Sequence, residues 1–259
     1  MYLTREEKSP YSRQYLNENP DMAVNAFTHG IAHTLFLMTS ISLTGHSQPS
    51  PAESEPMRVI HTLDFDLKGD GSSAEWNVTP WISVPQRLAE GSKYTTEVKV
   101  LYSDTGIYCL FRCQDNKITA TLKEDFADLY REDVVEVFFW TNESVPVYFE
   151  YELSPLNYEL AIMVPNYNGN FFGWRPWHYE GERLTRHATH ISDDNTWTAE
   201  MFIPYALLKP IIPGPPKKGD RWRANFYRID YDTGRSHWSW KPTRKNFHDY
   251  ESFGTIEFQ

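Results

Sequence analysis

From Tyr94 onward the chain alternates hydrophobic and polar positions in short runs, the two-residue period of strands that turn one face inward. In the run 94–102, Val98, Val100 and Tyr102 share a face, while Glu97, Lys99 and Leu101 share the other. Ser103-Asp104-Thr105-Gly106 reads as a hairpin turn into a return strand over 107–114. Further strands are predicted over 134–140, 147–153, 196–203 and 254–258, with a hairpin of 221–231 and 236–240 around Asp232-Thr233-Gly234. Only 123–129 and 204–208 have helical character. Short strands separated by turn signals, without a long helix, predict an all-β fold: a two-sheet β-sandwich of jelly-roll type with short helical turns.

One strand is unusual. In Tyr130–Trp140 (YREDVVEVFFW) a single carboxylate, Glu136, interrupts an apolar run. An ionised carboxylate there is costly unless something satisfies it. Two readings stand: a buried ion pair or backbone hydrogen bonds, or the floor of a cleft where Glu136 accepts hydrogen bonds from ligand hydroxyls.

The pattern changes upstream. Residues 31–44 (IAHTLFLMTSISLT) are mostly apolar but too few, and too rich in Ser, Thr and His, for a membrane-spanning helix. Small residues follow, which resembles an export signal cleaved near Ser47. Arg5, Lys8 and Arg13 lie far upstream of it, so Met22 is an alternative start. The expected organisation is a tail with a signal peptide (1–47), a Pro/Ser/Glu-rich linker (48–56) and one β domain (57–259). Such a protein is secreted, periplasmic or at the cell surface. The alternative is a tail with a chance apolar patch.

Charge and composition narrow the function. A formal charge of −10 argues against nucleic-acid binding. Aromatics at 15% include many Trp and Tyr, which join an apolar face to a polar handle. The two cysteines, Cys109 and Cys113, fall on one strand face about 13 Å apart, too far for a disulfide and too few for zinc. Both read as small core residues. No HExxH or GxSxG motif occurs. Asp64–Gly71 (DFDLKGDG) has the alternating acids and glycines of a calcium loop without the remaining features of an EF-hand, and reads better as a turn. Glycoside hydrolysis needs paired carboxylates, for which Glu132, Asp133, Glu136, Glu150 and Glu152 are available. In the loop FFGWRPWHYEGE, Trp174, Trp177 and Tyr179 either cover the sandwich edge or offer faces to a sugar ring. Arg112, Arg131, Glu136, Glu150 and Arg228 are candidates for charge-assisted hydrogen bonds to hydroxyls.

Six segments in order, GSSAEW, IYCLFRCQD, REDVVEVFFW, WTAEMFIPYALL, GDRWRANFYRID and FHDYESFG, resemble the family 9 carbohydrate-binding modules over nearly all of 60–259. The resemblance implies a β-sandwich, a non-catalytic role and occasional structural calcium, with no cofactor required. It implies that a sugar chain end sits between two aromatics, at the positions of Tyr130 and Phe247. Glu136 falls at the family's binding carboxylate. Glu150 falls at a position that is basic in a sugar-binding relative, a reversal of charge. The expected ligand-binding set is Tyr130, Arg131, Glu136, Glu150, Arg228, Trp240 and Phe247, Trp240 being equally readable as core. The leading expectation is a free-standing carbohydrate-binding module that acts with separate glycan-degrading enzymes. The alternatives are a glycoside hydrolase or lyase using paired carboxylates in the same cleft, and a cell-envelope protein with no sugar ligand.

Overall fold

The computed structural model describes residues 55–89, 93–194, 196–232 and 234–259; the expected tail, its export signal and most of the linker lie outside them. The described strands are β1 (Met57–His61), β2 (Ile82–Ser83), β3 (Gln86–Leu88), β4 (Thr96–Tyr102), β5 (Gly106–Gln114), β6 (Val134–Trp140), β7 (Val147–Leu153), β8 (Glu159–Tyr167), β9 (Asn170–Phe171), β10 (Arg175–Pro176), β11 (Arg186–Ser192), β12 (Thr196–Pro204), β13 (Arg221–Asp230), β14 (Ser236–Ser239) and β15 (Gly254–Phe258). They form a β-sandwich. One sheet runs β10-β8-β7-β6-β13-β15-β1, the other β1-β4-β5-β12-β11. Strand β1 belongs to both: Met57–Val59 pair in parallel with β15, and Ile60 and His61 pair in parallel with β4.

Alternation decides what each sheet puts inside. Val98, Cys109, Phe111, Trp197 and Met201 from the second sheet meet Val135, Val137, Phe139, Phe226 and Trp238 from the first in one interior core. Cys109 and Cys113 are buried there as free thiols, Cys113 with its pKa pushed up to about 12 by burial. Each fully buried aliphatic or aromatic side chain contributes roughly 1.5–3 kcal/mol relative to exposure.

The outer faces are covered as well. On the first sheet Val134, Phe138, Trp140, Tyr148, Leu160, Ile162, Val164 and Tyr227 form a second apolar layer with Leu129, Tyr250 and Phe253. On the other, Trp76, Leu101, Tyr108, Leu110 and Phe202 are joined by half-buried Phe65 and Leu67. This explains two features of the sequence. Apart from Glu136, strand β6 reads as apolar at every position because both its faces are buried. Strand β8, ELAIMVPNY, lacks alternation for the same reason, and no strand is predicted there from the pattern.

The helical expectations divide. Tyr205–Leu208 is a single helical turn. Residues 123–129 are not a helix: the Phe126 amide donates to the Glu159 carbonyl (2.8 Å), the Glu159 amide donates to Asp125 Oδ1 (3.1 Å), and Phe126 sits at φ 64°. Bonds to β8 have displaced the local helical ones. In the loop 171–182, Trp177 and Tyr179 pack against the interior core, and Trp177 Nε1 donates to the Leu207 carbonyl (3.2 Å). Phe171 and Trp174 pack instead on the outer layer of the first sheet.

The turn Asp64–Gly71 wraps the Glu200 carboxyl group. The amides of Lys68 and Gly71 donate to Glu200 Oε2 (2.9 Å) and Oε1 (2.7 Å), and Glu200 on β12 is fully buried. Gly69 and Gly71 take φ 87° and 71°, the left-handed region that lets a loop point its amides inward. A loop with inward N–H groups does not fit calcium, which takes oxygen ligands.

Candidate functional site

The outer face of the first sheet is where most of the expected site converges. Glu136 on β6 has Glu152 as its register partner on β7 and Tyr227 on β13. Glu150 lies two residues from Glu152, hence on the same face. Loops form the rim. Tyr130, half-buried, packs on the outer layer; its carbonyl accepts a hydrogen bond from the Tyr231 hydroxyl (3.2 Å), and the Arg131 guanidinium lies 5.6 Å from its ring. Arg131 also pairs with Asp128 (3.1 Å). Phe247 stacks on Tyr227 at 4.1 Å and 18°, while the Tyr227 hydroxyl donates to the Phe247 carbonyl (2.9 Å). His237 meets Phe247 edge-on at 5.5 Å.

The acids are deep: Glu136, Glu150 and Glu152 are 2%, 4% and 1% exposed. Burial pushes the Glu136 carboxyl up to about 8, against an opposing pull from Arg235. Burial likewise holds Glu150 and Glu152 well above the usual carboxylate range, helped by repulsion from Glu136. Glu150 Oε2 lies 3.7 Å from His248 Nδ1, but burial drops the His248 pKa to about 4, so the imidazole is neutral. His248 Nδ1 is instead 2.7 Å from the Tyr148 hydroxyl, and Phe171 stacks on the ring at 4.2 Å. At neutral pH this floor carries protonated carboxyls, each both donor and acceptor. The reversal of charge at Glu150 therefore places a neutral acid, not a fixed anion, in the floor.

Five expected residues, Tyr130, Arg131, Glu136, Glu150 and Phe247, lie on this face. Two do not. Arg228 is the register neighbour of Val135 and points between the sheets, 0% exposed, donating to Asp115 (3.0 Å) and Asp230 (2.5 Å), with its guanidinium 4.6 Å from the Trp238 ring. Trp240, half-buried, packs on Phe226 at 5.6 Å and against the interior core, on the side of its alternative reading as core. The physical reason is the strand period: Tyr227 faces outward, so Arg228 must face inward. Pattern reading missed Tyr227, Tyr231, Arg235 and His248. Counting β13 outward from Tyr227 gives a signal for the first; the others come from loops with no period.

The calcium implied by the resemblance has one acidic candidate among the described residues. Carboxylate oxygens of Asp115, Asp133 and Asp230 lie within 4.8 Å of one another. All six oxygens already accept hydrogen bonds. Lys117 N and Arg228 serve Asp115, Thr119 N and Tyr231 N serve Asp133, and Asp232 N and Arg228 serve Asp230. The positive charge here is Arg228, and a donor-filled cluster of this kind does not fit a resident calcium. Burial nevertheless raises Asp115 to about 6 and Asp133 to about 7.

Cavities lie elsewhere on the face. One of about 590 Å³ and one of about 630 Å³ share Trp140, Glu143, Ser144 and Arg223; neither is lined by Tyr130, Glu136 or Phe247.

A β-sandwich with half-buried aromatics set over hydrogen-bonding carboxyls is a ligand-binding domain in form. More particularly, the chain belongs to the carbohydrate family 9 binding domain-like family, which matches residues 67–259. Solved structures share the fold at 15% identity. A Bacteroides uniformis protein classed as carbohydrate-binding superposes with a TM-score of 0.65, covering 79% of this chain and 99% of its own. A family 9 carbohydrate-binding module of Caldicellulosiruptor kristjanssonii in complex with glucose gives 0.57, covering 78% and 95%. The same module with cellotriose gives 0.58, covering 79% and 94%. No curated protein sequence matches the chain.

Proposed function

We propose that the protein binds carbohydrate without cleaving it, through the outer face that carries Tyr130, Phe247 and Glu136. The observation that carries this reading is the convergence of two rim aromatics and a carboxyl floor on one face of a family 9 fold. The family neighbours that hold glucose and cellotriose support a sugar as the ligand class. A ring stacks on Tyr130 and Phe247, Arg131 reaches its hydroxyls, and the protonated floor donates and accepts hydrogen bonds. Because Glu136 is 2% exposed, the ligand reaches it only when rim side chains turn aside. A chain end fits such a closed rim better than the middle of a polymer. Secretion to the envelope or beyond, and work beside separate glycan-degrading enzymes, complete the reading.

A hydrolase is less well supported. It needs one ionised and one protonated carboxyl at a set separation. Glu136, Glu150 and Glu152 are all pushed toward the protonated form. The test is calorimetric titration with glucose and with trisaccharides of glucose, xylose and N-acetylglucosamine. Saturable binding that Tyr130→Ala weakens about tenfold or more, with no new reducing ends released, supports the proposal. Product release abolished by Glu136→Gln would replace it with the enzymatic reading.

A further inference from the structure

We propose a second carbohydrate-binding cleft on the same outer face, at the far end of β6, centred on Asn166 and Trp140. Trp140 stands four residues from Glu136, about 13 Å along the strand. Phe138, packed on Tyr148 and Phe253, stands between Glu136 and Trp140 on that strand face. The cleft is therefore separate from the Tyr130 rim. Its location does not rest on that rim; its ligand class rests on the carbohydrate reading.

Three observations build the site. First, an open cavity of about 590 Å³ exists here, within the size range of small-ligand pockets. Second, Asn166 lines it with an unmade bond. Asn166 follows Leu160, Ile162 and Val164 on the outward row of β8 and is 4% exposed. Its backbone amide donates to the Pro146 carbonyl (2.9 Å), but its side-chain Nδ2 has no hydrogen-bond partner. Buried polar groups are normally satisfied, and Asn166 borders this cavity with its Nδ2 unpaired and closed from solvent, so a ligand bonds it once a neighbouring side chain turns aside. A hydroxyl answers either end of the amide, since it both donates and accepts. Third, the walls are aromatic and fixed. Trp140 Nε1 donates to the Val145 carbonyl (2.9 Å), and Tyr250 meets the Trp140 ring edge-on at 5.0 Å and 84°. Tyr167, 64% exposed, lines the cavity as well.

The charges disfavour an anion. Glu143 pairs with Arg223 (3.5 Å), while Glu251 shares Arg244 (2.8 Å) with Asp249 (2.5 Å). Two acids on one base leave the rim mildly acidic, which repels anions and tolerates neutral hydroxyls. Fixed aromatic walls and an unsatisfied amide suit a hydroxyl-rich molecule, the class that the carbohydrate reading supplies. The Glu143–Arg223 pair also borders the adjoining cavity of about 630 Å³, so a longer oligosaccharide can extend past it.

The test uses the whole chain and the same trisaccharides, with calorimetry for stoichiometry and NMR of the Trp140 indole N–H for place. The expected result is that Asn166→Leu and, independently, the surface change Tyr167→Ala each weaken one binding event about tenfold. That event shifts the Trp140 indole signal and survives Tyr130→Ala. Tyr167→Ala keeps the test valid if Asn166→Leu fails to fold. Binding that disappears entirely with Tyr130→Ala, and is indifferent to both cleft variants, overturns the second cleft and leaves the first reading intact. Binding that survives Tyr130→Ala but is lost in the cleft variants supports the second cleft and removes the first. No binding by any trisaccharide overturns both.

Discussion

Glu136 and Glu152 are register partners across β6 and β7, and both are buried on the face that carries Tyr130 and Phe247. Like charges directly opposite one another destabilise a sheet. The pair is tolerable because burial holds both carboxyls in the protonated form at neutral pH. The arrangement ties the stability of the fold to pH in a direction opposite to that of ordinary surface carboxylates.

Glu136 is raised from 4.5 in the unfolded chain to about 8 in the folded one, so the folded state holds the extra proton between these values. Stability from this group is present below about 4.5 and falls as pH rises toward 8. Glu150, Glu152 and Asp133, raised to about 7, act with the same sign. His248, lowered from 6.5 to about 4, acts with the opposite sign between those values and is silent above them. Between about pH 6.5 and 8 the carboxyls therefore act unopposed by it. The melting temperature should fall over that range, and Glu136→Gln should flatten the fall. A wild-type melting temperature that rises from pH 6.5 to 8 would contradict the protonated floor.

Arg228 should matter for folding and not for the ligand. Arg228→Met leaves Asp115 and Asp230 buried without their cation, which typically costs about 3–5 kcal/mol. Denaturant unfolding measures the loss. Glycan affinity of the fraction still folded should be unchanged, and a large loss of affinity in folded protein would return Arg228 to the binding surface.

Glu200 should hold the 64–71 turn. Glu200→Ala removes the acceptor of the Lys68 and Gly71 amides and leaves both donors without it, at about 1–3 kcal/mol for each buried group left unsatisfied. Hydrogen exchange at the Lys68 and Gly71 amides should accelerate selectively. If their protection is unchanged, the turn does not depend on the buried carboxyl group.

Calcium should not stabilise the Asp115, Asp133 and Asp230 cluster, because its oxygens already accept donors and Arg228 supplies the charge. Excess chelator should leave the melting temperature unmoved, and added calcium should not raise it. A rise with calcium that Asp133→Asn abolishes would show that the cluster admits the ion after all.

Much of this protein is determined by its sequence alone. The two-residue period defined β6, β7 and β15 at their ends, gave β4, β5, β12 and β13 to within two residues, and put Val98, Val100 and Tyr102 on one face. The order of motifs around REDVVEVFFW led to the family that matches residues 67–259. What local pattern could not supply was which side of a covered sheet a residue faces. Where both faces are apolar the period vanishes, so β8 went unseen and Arg228 was grouped with Glu136, though they lie on opposite faces of the first sheet. Only the tertiary structure decided that Glu136, Glu150 and Glu152 share one buried floor, because desolvation depends on the loops packed over them and not on their neighbours in the chain. It also decided that Asn166 lines a cavity beside Trp140, a juxtaposition of residues 26 apart in sequence made by long-range pairing through β7.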